Sequence, residues 1–375
     1  MSTGSAIEWT DATWNPTTGC TPVSPGCLNC YAARDAVRMA GNPNPKISSK
    51  YAGLAVIRDG RAVFNGTVRR HEDRLEIPLH WRSPRMVFVD SQSDLFHETV
   101  PFEFIDRVFA VMALCPQHTF QVLTKRPERM AEYLATRTPI GDVPRVEHMP
   151  QWYQVATAML DSGATSMPRG AWDRGHDGMP DPSQPLPNVW LGTSVENQAT
   201  ADERIPHLLR CPAAVRFVSA EPLLGAVDLT RLGYGAHRLV DALAGDLMLD
   251  REEESEQPEI CAAAPGSISW VIVGGESGPN ARACDVASIR SIRNRCKAAG
   301  VACFVKQLGA RPFDPLMVGP DPPREIWPNG TRFETSPRKS DAVWQCTGFA
   351  KLHDKKGGEI SEWPADLRVR EMPSQ

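Results

Sequence analysis

Six short runs of β-branched and aromatic residues recur along the chain, each followed by a polar or glycine-rich turn: Met86 to Val89, Thr119 to Leu123, Val189 to Leu191, Val215 to Val218, Trp270 to Val273 and Val301 to Val305. Runs with so little alternation predict strands covered on both faces, as in a parallel sheet. Helical spacing fills the gaps between them. Ile105, Val108, Phe109 and Met112 form an i, i+3, i+4, i+7 stripe after the first run. Thr200 and Glu203 read as a capping box before Ile205, Leu208 and Leu209 after the third. Asp285 is placed to cap a helix carrying Ile289, Ile292 and Cys296, and Gly300 to end it. Alternating strands and helices imply βα units.

One more strand-like stretch, Ile7 to Asn15, precedes these, and Tyr31 to Ala40 reads as a helix ending near Gly41. About seven βα repeats result, short of eight, so the expected fold is an incomplete TIM-like (β/α)6-7 barrel over residues 1–309. Residues 138–187 and 231–266, the second with the acidic run Arg251 to Glu256, read as loop insertions with little core of their own. Residues 310–375, rich in proline and with a turn at Pro328-Asn329-Gly330, read as a small C-terminal appendage.

Composition narrows the classes. The 375 residues are 41% hydrophobic and 23% charged, enough to bury a large core. No run of about 18 apolar residues appears, and no basic stretch with an apolar core opens the chain, which predicts a cytoplasmic protein without a membrane partner. The formal charge of −4 supplies no general field for phosphate backbones. Arg69-Arg70-His71 and Arg82 to Arg85 are the best local candidates for a phosphate patch.

Polar residues gather where the strands end. Asp90 to Asp94, Thr124-Lys125-Arg126, Thr193 to Glu196, Ser219-Ala220-Glu221, Gly274 to Ser277 and Lys306-Gln307 each follow an apolar run. Parallel strands put these ends on one face, where barrel enzymes build their sites. Turn formation accounts for the serines taken singly, but long charged side chains are poor turn residues. Lys125, Glu196, Glu221, Glu276 and Lys306 are therefore expected to converge on one cavity.

Ten cysteines occur, and three of them, Cys20, Cys27 and Cys30, crowd a loop with Gly19, Pro22, Pro25 and Gly26. The others, at 115, 211, 261, 284, 296, 303 and 346, show no C-x-x-C spacing and read mostly as small core residues. In a cytosolic chain close thiols point to a metal site rather than a disulfide. Structural zinc needs a fourth ligand, for which His71, His80 and His97 are candidates. An iron–sulfur cluster on three cysteines keeps one iron open to a cofactor or substrate. The spacing of six and then two residues fits both, while a loop feeding the barrel mouth favours the reactive cluster. The three thiols are expected within about 7 Å of one another.

Thr18-Gly19-Cys20, Ser24-Pro25-Gly26-Cys27, Asn29-Cys30-Tyr31, Asp94-Leu95-Phe96-His97, Leu123-Thr124-Lys125-Arg126-Pro127, Trp190 to Glu196, Ser219 to Leu223 and Gly274 to Gly278 resemble, as an ordered set, the phage-associated three-cysteine-motif family. That family has no well-defined function and is similar to divergent radical S-adenosylmethionine enzymes. The resemblance runs from about residue 6 to 309. Most radical S-adenosylmethionine enzymes space their cysteines three and two residues apart, with an aromatic residue before the third; here the spacing is six and two, and Tyr31 follows the third.

The resemblance implies a [4Fe–4S] cluster on Cys20, Cys27 and Cys30, with S-adenosylmethionine chelating the open iron. Ser91, Ser93, Asp94, Thr124, Lys125, Ser194 and Glu196 would then hold that cofactor. Glu221, Glu276, Lys306 and Gln307, with Arg126, are left to the substrate as catalytic groups. The implied activity is reductive cleavage to a 5′-deoxyadenosyl radical that abstracts hydrogen, with a reducing electron donor as partner. A nucleobase or nucleic acid is the substrate class suggested by a distant similarity to spore photoproduct lyase. The competing class is a non-enzymatic, zinc-stabilised adaptor or nucleic-acid-binding module.

Overall fold

The computed structural model describes residues 5–374 except 6, 137–148, 164, 166–178, 236, 250–258, 279, 314–332, 335–348 and 351. Its principal sheet has seven strands: β1 (Ala12–Trp14), β2 (Met86–Val89), β3 (Thr119–Thr124), β4 (Val189–Ser194), β5 (Val215–Ala220), β6 (Trp270–Gly274) and β7 (Ala302–Gln307). Their order in the sheet is their order in the chain. Pairing is parallel from β1 to β4 and again from β5 to β7. A doubly wound sheet reverses its order at a switch point, whereas a barrel-type repeat lays each strand beside the last. The second pattern is the one present, and all seven expected strands occur within a few residues of their predicted places.

The helices are α1 (Tyr31–Ala40), α2 (Pro45–Tyr51), α3 (Phe102–Ala113), α4 (Pro127–Ala135), α5 (Gln151–Asp161), α6 (Gln198–Leu209) and α7 (Val286–Ala299). α7 is bounded as its sequence dictates: the Asp285 carboxylate accepts from the Ala287 N–H at 2.9 Å, and Gly300 closes the helix at φ 68°. α6 departs from expectation. Its capping box lies three residues upstream, where Asn197 Oδ1 accepts from the Thr200 N–H at 3.1 Å and Thr200 Oγ1 accepts from the Asn197 N–H at 3.2 Å. Threonine serves the N3 role as well as glutamine does, because it needs only one acceptor oxygen.

The chain divides into two compact units, residues 1–193 with 210–216 and residues 194–209 with 217–375. In the first, β2 and β3 bury Val87, Val89, Phe120 and Val122, and α3 sinks Ile105, Val108, Phe109 and Met112. The insertion read as loop carries α5 here, packed on α3 through buried Trp152, Tyr153 and Ala156. Its short amphipathic period was hidden by the Pro-, Gly- and Met-rich residues around it. A small module of α1, α2 and the hairpin Ala55–Arg58/Arg61–Phe64 encloses Ala33, Ala36, Leu54 and Phe64, with Cys20 and Cys30 packed against it.

In the second unit the other insertion also proves ordered where it is described. Leu232–Gly233, Arg238–Asp241, Asp246–Leu249 and Ile260–Ala263 form a four-stranded antiparallel sheet. Leu232, Val240, Leu247 and Met248 are buried from it. The run Arg251 to Glu256 and the turn at Pro328-Asn329-Gly330 lie outside the described residues. Of the appendage, Pro312–Phe313, Phe333–Glu334 and Phe349–Ala350 join a small sheet with Cys284–Asp285. The C-terminal stretch covers an edge of β7: the Val305 N–H donates to Val369 O, and the Glu371 N–H to Cys303 O, both at 2.9 Å. An edge strand paired in this way is no longer a template for another chain. Among the described residues no helix is long and apolar enough to cross a membrane.

Candidate functional site

The loop leaving β1 toward the cysteines is pinned at nearly every residue. Thr17 donates through its N–H and its hydroxyl to the Asp90 carboxylate, at 3.0 and 2.9 Å. Thr18 Oγ1 meets His71 Nε2 at 2.8 Å, and Thr21 Oγ1 meets His97 Nε2 at 2.8 Å. Between them the Gly19 N–H donates to Gln92 O, and Ser93 Oγ donates to Gly19 O at 2.7 Å. Gly19 sits at φ 93°, and a Cβ there would lie 2.1 Å from Thr67 O, so only glycine lets this strand pass. Cys20 O in turn accepts from the Gly66 N–H.

Asp90 is fully buried, and burial pushes its carboxyl up to about 8. The folded protein thus keeps a proton that the unfolded chain loses near pH 4. The contribution of this group to stability is complete below that pH and is lost as pH rises toward 8, with a slope of at most about 1.4 kcal/mol per unit. Asp90→Asn should flatten that slope, since asparagine stays neutral and tolerates the left-handed φ of 56°. Denaturant unfolding at pH 5, 6, 7 and 8 measures it; equal slopes in both proteins would refute the assignment.

The three cysteines are partly buried and free. Burial drives the Cys20 thiol up to about 12, Asp94 adds to the rise, and Arg126 opposes it. Cys30 is also raised by burial, but the Ala33 and Ala32 N–H groups at the start of α1, and Lys125, pull it back. Cys27 raises both Cys20 and Cys30, so it lies within electrostatic range of each. The Cys20 and Cys30 thiolates are disfavoured until positive charge arrives, which is the condition a metal or cluster meets.

Asp94 and Arg126, at the ends of β2 and β3, form the second half of this site. Asp94 accepts from Thr124 Oγ1 at 2.7 Å, from the Phe96 and Lys125 N–H groups at 3.1 Å, and from Arg126 Nη1 at 3.0 Å. The same Nη1 reaches Cys20 Sγ at 3.8 Å, while Nε of Arg126 donates to Glu98 and Nη2 to Thr21 O. Ser91 Oγ donates to Asn15 Oδ1 at 3.1 Å. Cys20, Ser93, Asp94, Thr124, Lys125 and Arg126 are thus brought together, with Asp94 and Ser93 acting as braces of the cysteine strand.

Of the three histidines considered for zinc, His71 and His97 are occupied otherwise. His97 uses both ring nitrogens on Thr21 and Thr99, and burial lowers its pKa; burial takes His71 down to about 4. Among the described residues no group of three or more His, Cys, Asp and Glu side chains is arranged to hold a single metal ion.

In the second unit the remaining predicted residues make three groups. Glu196 is buried against Arg204, whose Nη1 stands 3.3 Å from Oε2 and donates to Ser194 O at 2.8 Å. Glu276 takes Arg282 in a fork, with Nε and Nη2 at 2.9 and 2.7 Å, plus the Arg282 N–H at 2.9 Å. Glu221 meets Lys306 Nζ at 3.2 Å and Ser219 Oγ at 3.3 Å. Gln307 Nε2 donates to Gly275 O at 2.7 Å. Gly275 carries no side chain because a Cβ would lie 2.4 Å from Leu308 O; it lets the ends of β6 and β7 close up, bringing Glu221, Lys306, Gln307 and Gly275 into one neighbourhood.

Sequence reasoning missed the partners: Asp90, His71, His97, Asn15, Arg204 and Arg282. Arg204 and Arg282 lie only eight and six residues from their glutamates; the others meet their targets across tens of residues.

A family model described as "Protein of unknown function (DUF5131)" matches residues 4–356, and the chain belongs to that family. Nothing among curated proteins matches the chain. Nothing among solved structures does either.

Proposed function

We propose that this member of the family is a cytoplasmic radical S-adenosylmethionine enzyme built on an incomplete (β/α)6-7 barrel, with a [4Fe–4S] cluster on Cys20, Cys27 and Cys30. One observation carries the reading: three partly buried thiols lie at the C-terminal edge of sequentially ordered parallel strands, with Arg126 from the end of β3 on Cys20 and Asp94 from the end of β2 behind it. That edge is where such folds place chemistry.

The donor set fits a cluster better than zinc. Structural zinc wants four protein ligands, and of the candidate fourth ligands His71 and His97 are engaged by Thr18, Thr21 and Thr99. A cluster gives each thiolate its own iron. When bound, the cluster and S-adenosylmethionine supply one-electron cleavage of the sulfonium and a 5′-deoxyadenosyl radical for hydrogen abstraction. The chain's own residues supply the setting. Arg126 holds negative charge at Cys20, the N-terminus of α1 faces Cys30, and the pinned strand from Thr17 to Thr21 keeps the first ligand in place. Ser91, Ser93, Thr124 and Lys125 border this region on the cofactor side; Ser194 and Glu196 are assigned to it from strand order. Glu221, Glu276, Lys306 and Gln307 remain for a substrate, for which a nucleobase or nucleic acid is the proposed class.

Protein purified and reconstituted without oxygen should be brown, with broad absorption near roughly 400 nm and about four irons per chain. Cys20→Ala, Cys27→Ala or Cys30→Ala should abolish most of that iron, whereas Cys115→Ala and Cys211→Ala, both buried away as core residues, should keep it. A colourless protein holding zinc, or a full cluster in Cys27→Ala, would overturn the reading.

A further inference from the structure

Seven large hydrophobic side chains are exposed among the described residues; three of them, Val23, Leu28 and Tyr31, lie in or just after the cysteine loop, and two more, Val56 and Ile57, lie on the hairpin strand Ala55–Arg58. Residues 31–70 are also strongly basic, with eight Lys and Arg against two Asp, in a chain whose formal charge is −4. The two features meet at α1. Tyr31, Arg34 and Arg38 follow one another on α1 at spacings of three and four and are exposed, so they share one outward face of that helix, and Leu28, also exposed, lies in the turn just before it. Cys27 and Cys30 are the chain neighbours of Leu28 and Tyr31. Tyr31 is fixed there by its hydroxyl, which donates to Ser91 O at 2.7 Å, so the ring is presented rather than free to fold away.

We infer that this face is the docking surface for an acidic one-electron carrier protein; the inference rests on the cluster reading above. Charge selects an acidic partner. The aliphatic side chains select a protein over a nucleic acid, because Val23 and Leu28 offer neither a phosphate contact nor a stacking face, whereas an apolar centre with a Tyr and Arg rim is what protein interfaces are made of. Position selects a carrier of electrons: reduction needs one electron from outside, the donor being oxidised by one as the cluster is reduced by one, with no bond made or broken between the proteins. Small, short-lived interfaces suit that exchange.

The test uses reconstituted full-length protein and a reduced acidic flavodoxin as the probe. Stopped-flow absorption gives the second-order rate of cluster reduction at about 50 and 300 mM salt, and fluorescence anisotropy of labelled oxidised flavodoxin gives its affinity for the protein without cluster. Arg34→Glu/Arg38→Glu and Leu28→Glu should each cut the rate at least tenfold at low salt, weaken binding in parallel, and flatten the salt dependence in the charge variant. Reduction by dithionite and iron content should not change. Arg34→Gln/Arg38→Gln, milder toward α1, should fall between. Unchanged rate and affinity in all variants would overturn the surface. So would a loss confined to binding of single-stranded DNA or of vesicles with anionic lipid while flavodoxin still reduces the cluster normally. A wild-type protein that takes up no cluster overturns the function and this inference together, so the two failures are told apart by the iron assay that precedes the kinetics.

Discussion

Asp94→Ala is expected to destabilise the first unit by about 3–5 kcal/mol and to lower cluster uptake well below half, the scale for removing one partner of a buried ion pair. Its carboxylate is almost wholly buried and receives four donors from two separate stretches: Phe96 beside it, and Thr124, Lys125 and the Arg126 guanidinium at the end of β3. Without it Arg126 keeps Glu98, which is largely exposed, and loses the partner that aims it at Cys20. Asparagine is no remedy, because its amide would face N–H donors on that side. Glu98→Ala is the internal comparison and should cost less than about 1 kcal/mol, as exposed pairs do. Chemical denaturation measures both, and iron content follows the cluster. If Asp94→Ala melts with the wild type, the carboxylate is not the brace described and its role as a direct cofactor ligand becomes the better account.

The second large effect is expected in the other unit. Glu196 and Arg204 are both buried, and the guanidinium bridges the carboxylate to the Ser194 carbonyl. Arg204→Met should cost about 3–5 kcal/mol, because it strips a buried carboxylate of the cation that meets it. Glu196→Gln/Arg204→Met should recover a good part of that loss, as a neutral amide is far cheaper to bury than a charge. A double-mutant cycle by denaturant unfolding gives the coupling directly. Strictly additive losses would mean that the two groups do not act as a pair. The same proteins probe function: if Glu196 also holds cofactor, the double variant, though stable, should bind S-adenosylmethionine more weakly than wild type.

The local physics of the chain set its main elements. Strands appear where apolar runs lack alternation, α7 starts and stops at Asp285 and Gly300, and α1 follows Cys30, because each of these outcomes depends on neighbours a few residues away. The three thiols were legible for the same reason, being packed into one short loop. Two insertions were misread: α5 and the sheet from Leu232 to Ala263 owe their order to surfaces they bury, and composition windows rich in Pro and Gly conceal that. The roles of the strand-end charges were decided by tertiary structure alone. Asp94 and Arg126 are 32 residues apart and Lys306 and Glu221 are 85 apart, yet each pair is an ion pair. The sequence marks such residues as polar and well placed at strand ends. Whether a charge faces solvent, a cofactor or a buried partner depends on which distant segment the fold delivers to it, and burial then fixes how strongly the two must hold each other.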